Sequence, residues 1–162
     1  MAKKHEIKSI MTPKNHIISK NKKAHFSYII SDIFICGLQL KGSEIKSIRE
    51  GQVNISESYC IVSNNELWVK NMDIARYKFC NEEDYAPLRL RKLLLNKNEI
   101  RKIKKQLDEK GMSLVPIKLI INEKGFAKLE IGLGKGKKTY DKRETIKKRD
   151  TELEMKRKKR EK

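Results

Sequence analysis

Apolar residues in this chain fall into short runs with the spacing of β-strands, separated by polar turns. The segment AHFSYIISDIFICGLQL (24–40) is rich in Ile, Phe and Tyr. It predicts one or two strands, with a bend or bulge at Ser31-Asp32 and at Gly37. SYCIVSNNELWVKN (58–71) predicts a hairpin, because the side chains of Asn64-Asn65 tolerate the left-handed backbone of a tight turn.

A short helix is predicted between these two strand regions, over KGSEIKSIREG (41–51). Ser43 is placed to cap its beginning and Gly51 to end it. Ile45 and Ile48 lie three residues apart and so share one face. The charged side chains are then predicted on the faces exposed to water: Glu44, Lys46 and Arg49.

The clearest helix is predicted within RLRKLLLNKNEIRKIKKQLDEKG (89–111). Asn96, with Glu99 three residues later, has the pattern of an N-cap and capping box. Gly111 is placed to end the helix. The apolar residues that repeat along one face are Ile100, Ile103 and Leu107.

A second hairpin, predicted over 113–134 with its turn at 123–125, completes a body made mostly of strands. Short strands joined by tight turns, with few helices at the periphery, indicate an antiparallel sheet that curls into a barrel. We therefore expect a mainly β fold, an OB-like antiparallel β-barrel with peripheral helices. The expected divisions are a flexible basic arm (1–20), the barrel (21–134) and a basic C-terminal tail (135–162).

Charge indicates the class of partner. The 162 residues contain 39 Lys/Arg and 21 Asp/Glu, a formal net charge of +18. Residues 1–134 carry 25 basic and 15 acidic residues, hence +10, so the excess is not confined to the tail. Such a field attracts polyanions, of which nucleic acid is the commonest in cells. An anionic membrane is the rival partner, but the tail lacks the bulky apolar face that membrane binding needs.

The tail begins with GKGKKTYDKRETIKKRD (134–150) and has almost nothing to bury. Residues 135–162 hold 14 Lys/Arg and 6 Asp/Glu, a net charge of +8. Burial cannot offset the entropy of ordering such a segment, so we expect it to be largely disordered when free. It is then either a dispensable solubilising tail or a segment that orders on a partner of opposite charge. The glycines of 132–136 predict a flexible cationic hinge before it; a plain linker is the alternative.

No motif for catalysis or cofactor binding is found. GLGKGKKT (132–139) resembles a phosphate loop, but Ile131 stands where that motif needs its first glycine. The three cysteines are widely spaced without a CxxC pair, which favours free thiols in a reducing compartment over zinc or disulfides. The N-terminus lacks a signal-peptide core and no run of about 18 apolar residues occurs. We expect a cytoplasmic monomer that is not an enzyme and takes no cofactor or metal.

Five motifs in order resemble one known family. They are NKKA (21–24), GSEIKSIREG (42–51), RLRKLLLNKNEI (89–100), LVPIKL (114–119) and GKGKKTYDKRE (134–144). In this order and at this spacing the chain resembles the small protein B (SsrA-binding protein) family, which binds tmRNA in bacterial trans-translation. The resemblance extends from Asn21 to about Asp150.

The resemblance implies a fold and a function. Members of the family have an OB-like barrel that binds the tRNA-like domain of tmRNA near its elbow and D-loop, in place of an anticodon arm. They present tmRNA to ribosomes stalled without a stop codon. Their C-terminal tail is disordered when free and becomes helical in the empty mRNA channel near the decoding centre. They catalyse no reaction themselves.

The resemblance also implies two sets of site residues. The set on the tmRNA-facing surface is Asn21, Lys23, Glu44, Lys46, Arg49, Arg89, Arg91, Lys92 and Asn96. The set of the tail near the decoding centre is Gly136, Lys137, Lys138, Tyr140, Asp141, Lys142 and Arg143.

One position departs from the family pattern. Where the family usually has His followed by an acidic residue, this chain has Phe26 and Ser27, with His25 one residue earlier. Phe26 can stack but cannot form the hydrogen bonds of an imidazole. Two other functions remain open at this point: a ribosomal or ribosome-assembly protein that binds rRNA through an OB-like body, and an RNA-processing enzyme without a visible site.

Overall fold

The computed structural model describes residues 15–160 of the chain, which form nine strands and four helices. In chain order the elements are β1 (His16–Lys20), α1 (Lys22–Ser27), β2 (Tyr28–Leu38), α2 (Gly42–Arg49), β3 (Val53–Asn54), β4 (Tyr59–Ser63), β5 (Glu66–Lys70), β6 (Asp73–Ile74), β7 (Arg91–Leu94), α3 (Lys97–Leu107), β8 (Met112–Ile121), β9 (Ala127–Gly136) and α4 (Thr139–Arg160).

Seven strands form one antiparallel sheet in the order β1-β8-β9-β2-β7-β5-β4, and β3 pairs with β6 beside it. The sheet curls until β4 lies against β8, although the two ends are not joined by ladder hydrogen bonds. The predicted fold class, mainly β with an OB-like antiparallel barrel and peripheral helices, is confirmed, with the sheet curled but not closed. The turn of the β4–β5 hairpin is also as predicted, because Asn64 and Asn65 have φ values of 50° and 58°.

The core lies inside the curled sheet. β8 and β9 contribute Leu119, Leu129, Ile131 and Leu133, all with no exposed surface. Ile103 of α3 is buried against the same core, as its place on the apolar face predicts. Burying side chains of this kind contributes about 1.5–3 kcal/mol each and fixes the register of the strands.

The predicted glycine hinge over 132–136 is wrong. Gly132 and Gly134 lie inside β9 and are buried, and a Cβ on Gly134 would lie 2.6 Å from the backbone oxygen of Ile29 in β2. These glycines let two strands and the side chain of Ile30 approach closely. The break between body and tail comes later, at Lys137-Lys138, between β9 and α4.

The N-terminal region also differs from the prediction. His16–Lys20 is not a flexible arm but an edge strand paired with β8. The predicted strand at 24–40 begins only at Tyr28, because Asn21 caps a one-and-a-half-turn helix before it. Residues 1–14 of the predicted arm lie outside the described residues.

The tail from Thr139 to Arg160 is one helix of 22 residues with no buried side chain. Near its beginning, where α4 lies beside α1, Thr145 Oγ1 accepts a hydrogen bond from Lys137 Nζ. The expectation that this segment is disordered when free and ordered by a partner stays a prediction.

Candidate nucleic-acid interface

A buried ionic cluster lies beneath α2. Glu44 was expected on a water-facing side of the helix, but its side chain has no exposed surface. Its carboxylate accepts hydrogen bonds from Arg89 Nε (2.7 Å) and Nη2 (2.6 Å) and from Arg91 Nε (2.9 Å). It also accepts one from the backbone N–H of Lys41 (2.8 Å), which caps the beginning of α2.

Arg91 is fully buried as well and has partners for each of its nitrogens. Besides Glu44, it donates to the carbonyl oxygens of Pro87 (2.9 Å), Arg89 (3.2 Å) and Met72. Burial alone would raise the pKa of Glu44, but the hydrogen bonds from Arg89 and Lys41 and the charge of Arg91 outweigh it and hold that pKa below its usual range. Burial lowers the pKa of Arg91. The cluster therefore links α2, through Glu44, to Arg89 just before β7 and to Arg91 within it.

Three members of the predicted tmRNA-facing set are thus below the surface to different degrees. Glu44 and Arg91 are inaccessible, and Arg89 keeps 28% of its side chain exposed while paired with Glu44. Helical spacing could not show this, because the partners of Glu44 lie 45 and 47 residues away in sequence. In this conformation Glu44 and Arg91 can act on a partner only through the position of α2.

Lys46 and Arg49 are the exposed cations of α2. The Arg49 guanidinium donates to the carbonyl oxygen of Gly125 in the β8–β9 turn (3.1 Å). Lys46 Nζ lies 5.5 Å from the centre of the Tyr77 ring. Lys46 and Arg49, three residues apart, therefore form an exposed cationic ridge along α2.

A groove runs beside this ridge between α2, β2, β7 and the β8–β9 turn, and we call it the α2 groove. Its floor is apolar, with Ile45, Leu94 and Phe126, and the last two are 50% and 62% exposed. Its lining also contains three cations, Lys41, Arg49 and Lys128. Leu94 lies within a run of three leucines (93–95), and nothing in that run or around Phe126 signals which apolar side chain is exposed.

The other predicted tmRNA-facing residues lie away from the α2 groove or are already paired. Asn21 is buried: its Oδ1 accepts from Lys23 N (3.1 Å) and its Nδ2 donates to Pro116 O (3.0 Å). Lys23 pairs with Glu57, and Lys92 with Glu66. Asn96 is exposed at the beginning of α3, where its N–H donates to Glu99 Oε2 (3.0 Å).

The predicted tail residues mark the junction from β9 to α4. Lys137 ties the two together: its N–H donates to Ser27 O (2.8 Å), and its Nζ to His25 O (2.9 Å) and Thr145 Oγ1 (3.2 Å). Asp141 Oδ2 accepts from Lys138 N (3.1 Å) and stabilises the first turn. The remaining members of this set are Gly136, Tyr140, Lys142 and Arg143, of which Tyr140 is 60% exposed.

Residues 15–160 give no support for a metal site, for a reactive thiol at Cys36 or for a membrane-spanning helix. In that range no three His, Cys, Asp or Glu side chains come together as metal ligands would. Burial raises the pKa of the Cys36 thiol to about 12, which keeps it protonated and unreactive. No helix among those residues is long and apolar enough to span a membrane.

Comparison with known proteins identifies the family. The model of the SmpB protein family matches residues 18–161. The SsrA-binding protein of Christiangramia forsetii is 46% identical over 142 residues, covering 88% of this chain and 90% of that protein. The SsrA-binding protein of Cytophaga hutchinsonii is 49% identical over 138 residues, covering 85% and 90%.

A solved structure agrees with these relatives. It is described as "tmRNA-SmpB: a journey to the center of the bacterial ribosome", is 39% identical, and superposes with a TM-score of 0.62 over 74% of this chain and 84% of its own. Because the family model spans most of the chain and both relatives are similar over nearly their whole length, this chain belongs to the SmpB protein family.

Proposed function

We propose that this protein binds the tRNA-like domain of tmRNA and delivers it to stalled ribosomes for trans-translation. The observation that carries the proposal is the similarity, at 46–49% identity over most of the chain, to proteins named for binding SsrA. The solved tmRNA-SmpB structure supports the same two partners, tmRNA and the ribosome. The protein acts by binding and not by catalysis.

The ridge and groove of α2 are the part of the body best suited to folded RNA. Lys46 and Arg49 can neutralise phosphates, and the apolar floor around Leu94 and Phe126 can accept the face of an unstacked base. Glu44 and Arg91 contribute by holding α2 in place. The remaining predicted contacts do not line the α2 groove and enter the proposal through the family resemblance; they are Asn21, Lys23, Lys92 and Asn96.

The tail has a separate role in the proposal. As a helix it is cationic and has no buried residue, so its side chains are free for a surface outside the body. We infer that it enters the empty mRNA channel near the decoding centre, with Gly136 to Arg143 leading into it. A channel walled by phosphates is the environment in which such a segment gains from ordering.

The test of tmRNA binding is co-purification from bacterial cells followed by sequencing of the bound RNA. Enrichment of tmRNA over rRNA supports the proposal. Permanent presence in ribosomal subunits would favour the alternative, an rRNA-binding ribosomal or assembly protein, and cleavage of bound RNA would favour an enzyme. The names of the relatives favour the first result.

A titration against salt tests the contribution of the ridge. Replacing Arg49 by Gln should weaken tmRNA binding and reduce the log–log salt slope by about 0.9, the value for one lost phosphate contact. Arg101→Gln is a matched control, since Arg101 is an exposed arginine of α3. An equal effect of both substitutions would show that charge alone matters and that the α2 groove has no special role.

A further inference from the structure

On the loop between β6 and β7, two aromatic side chains lie next to the ridge of α2. The rings of Tyr77 and Phe79 meet edge to face, with centroids 5.6 Å apart and planes at 69°. Phe79 is 70% exposed, the largest exposed fraction among the large apolar side chains described. A single exposed apolar side chain is common on soluble proteins, but Phe79 lies against a second aromatic ring, so the two together form an exposed aromatic surface.

The charges around this pair favour an anionic, flat partner. Lys78 Nζ lies 4.9 Å from the centre of the Phe79 ring, and Lys46 Nζ 5.5 Å from that of Tyr77. Neither lysine has an ion-pair partner among residues 15–160. Two cations beside exposed rings match a nucleotide, whose base can stack while its phosphate pairs with an ammonium.

The loop is held in shape before any partner arrives. Arg76 Nη2 donates to Cys80 O (3.1 Å), and Cys80 N donates to Tyr77 O (2.9 Å), so residues 76–80 form a closed turn. The hydroxyl of Tyr85 donates to Ile74 O (2.7 Å). The acidic residues that follow include Glu82, which pairs with Lys41 (3.0 Å) and is thereby partly neutralised.

From these contacts we propose that Tyr77 and Phe79, with Lys46 and Lys78, form a stacking site for an unpaired nucleobase of RNA. This site is distinct from the α2 groove, whose lining contains neither aromatic residue of the loop. It rests on the proposed function to the extent that the partner is RNA. Lys46 then belongs to the stacking site, because it lies over Tyr77, while Arg49, three residues further along α2, lines the α2 groove.

The test compares Phe79→Leu with the wild-type protein in binding a fluorescent oligouridylate of ten nucleotides and full-length tmRNA. Loss of one stacked base should weaken binding of at least one of these RNAs by about tenfold. The salt slope should not change, because leucine removes the ring and leaves the lysines. An abasic strand of the same length has the phosphates without the bases, and its affinity should be equal for both proteins.

Two further variants complete the test. Phe79→Trp keeps a ring and should bind as tightly as wild type or more tightly, and Tyr59→Leu replaces an exposed aromatic residue on β4 and should change nothing. Because Phe79 is exposed, all variants should keep the wild-type melting temperature. Unchanged affinity of Phe79→Leu for both RNAs overturns the stacking site and would leave a protein partner for this loop. If wild-type protein does not bind tmRNA, the proposed function itself fails.

Discussion

The region around α2 and the tail helix α4 use charge in opposite ways. Under α2, the Glu44 carboxylate lies 2.6–2.9 Å from nitrogens of Arg89 and Arg91, and Glu44 and Arg91 are fully buried. In α4 no side chain is buried, and the apolar Ile146, Leu153 and Met155 are 45–60% exposed. Charges of the first kind determine the shape of the body. Charges of the second kind are exposed and available to a partner.

Removing the tail should separate the two regions most clearly. A protein truncated after Gly136 should keep its fold and most of its tmRNA binding, because the core and α2 lie upstream of this position. It should lose tagging on ribosomes stalled without a stop codon. The measurement is a reconstituted tagging assay, with the melting temperature as a control. Full tagging by the truncated protein would reduce the tail to a solubilising extension.

The absence of buried side chains in α4 also predicts the conformation of the isolated tail. A peptide of residues 137–162 should show little helix by circular dichroism in dilute buffer, because it has nothing to bury. Stable helix in the isolated peptide would contradict ordering by a partner.

Substituting Glu44 should destabilise the body strongly. Glu44→Gln keeps the size of the side chain but leaves the buried charge of Arg91 without its counter-ion, which costs about 3–5 kcal/mol. Glu57→Gln breaks the exposed pair with Lys23 and should cost less than about 1 kcal/mol. Urea unfolding of both variants measures the difference. Equal and small losses would show that the buried cluster does not hold α2.

Acid should weaken the same cluster. The pKa of Glu44 is lower in the folded protein than its ordinary value, so its contribution is fully present above the ordinary value, about 4.3, and is lost as pH falls through the folded pKa. The difference in unfolding free energy between wild type and Glu44→Gln should therefore be largest near neutral pH and shrink in acid. A difference independent of pH would exclude this ionisation as the cause.

Alanine substitutions at two glycines of β9, Gly134 and Gly136, should have a smaller effect on stability and differ from each other. Gly134→Ala places a Cβ 2.6 Å from Ile29 O, so the backbone must shift, at about 1–3 kcal/mol. Gly136→Ala meets nothing within 4 Å and should be close to neutral. Thermal unfolding of both variants tests this. Similar melting temperatures would restore the idea of a flexible glycine hinge.

Substituting Asn96 should have the smallest effect on stability, and it tests whether this residue caps α3 or contacts RNA. Asn96→Ala should cost up to about 1 kcal/mol at the beginning of α3, while Asn96→Ser keeps a capping oxygen and should be nearly neutral. Melting and tmRNA binding are measured on both. If the Ser variant is stable but binds tmRNA poorly, Asn96 contacts the RNA, as the family resemblance implies.

Local signals in the sequence were sufficient for the hairpins and for α3. The asparagine turn of β4–β5 and the Asn96–Glu99 pattern depend on neighbours in sequence, and both are found where expected. The burial of Glu44 and the close approach at Gly134 depend on partners about 45 and 105 residues away, which periodicity does not contain. For the site, the exposed cations of α2 were predictable, but the apolar groove and the Tyr77–Phe79 pair were not.

The sheet order has a consequence for the timing of synthesis. Tyr28 at the beginning of β2 pairs with Gly136 at the end of β9, and β1 pairs with β8. At roughly 5–20 residues per second, β2 therefore waits about 5–20 s for its principal partner to be translated. During that interval β2 can pair with β7 only through Gly37 and Leu38, so most of its isoleucines lack a neighbouring strand. The body is therefore completed only when β9 has been synthesised.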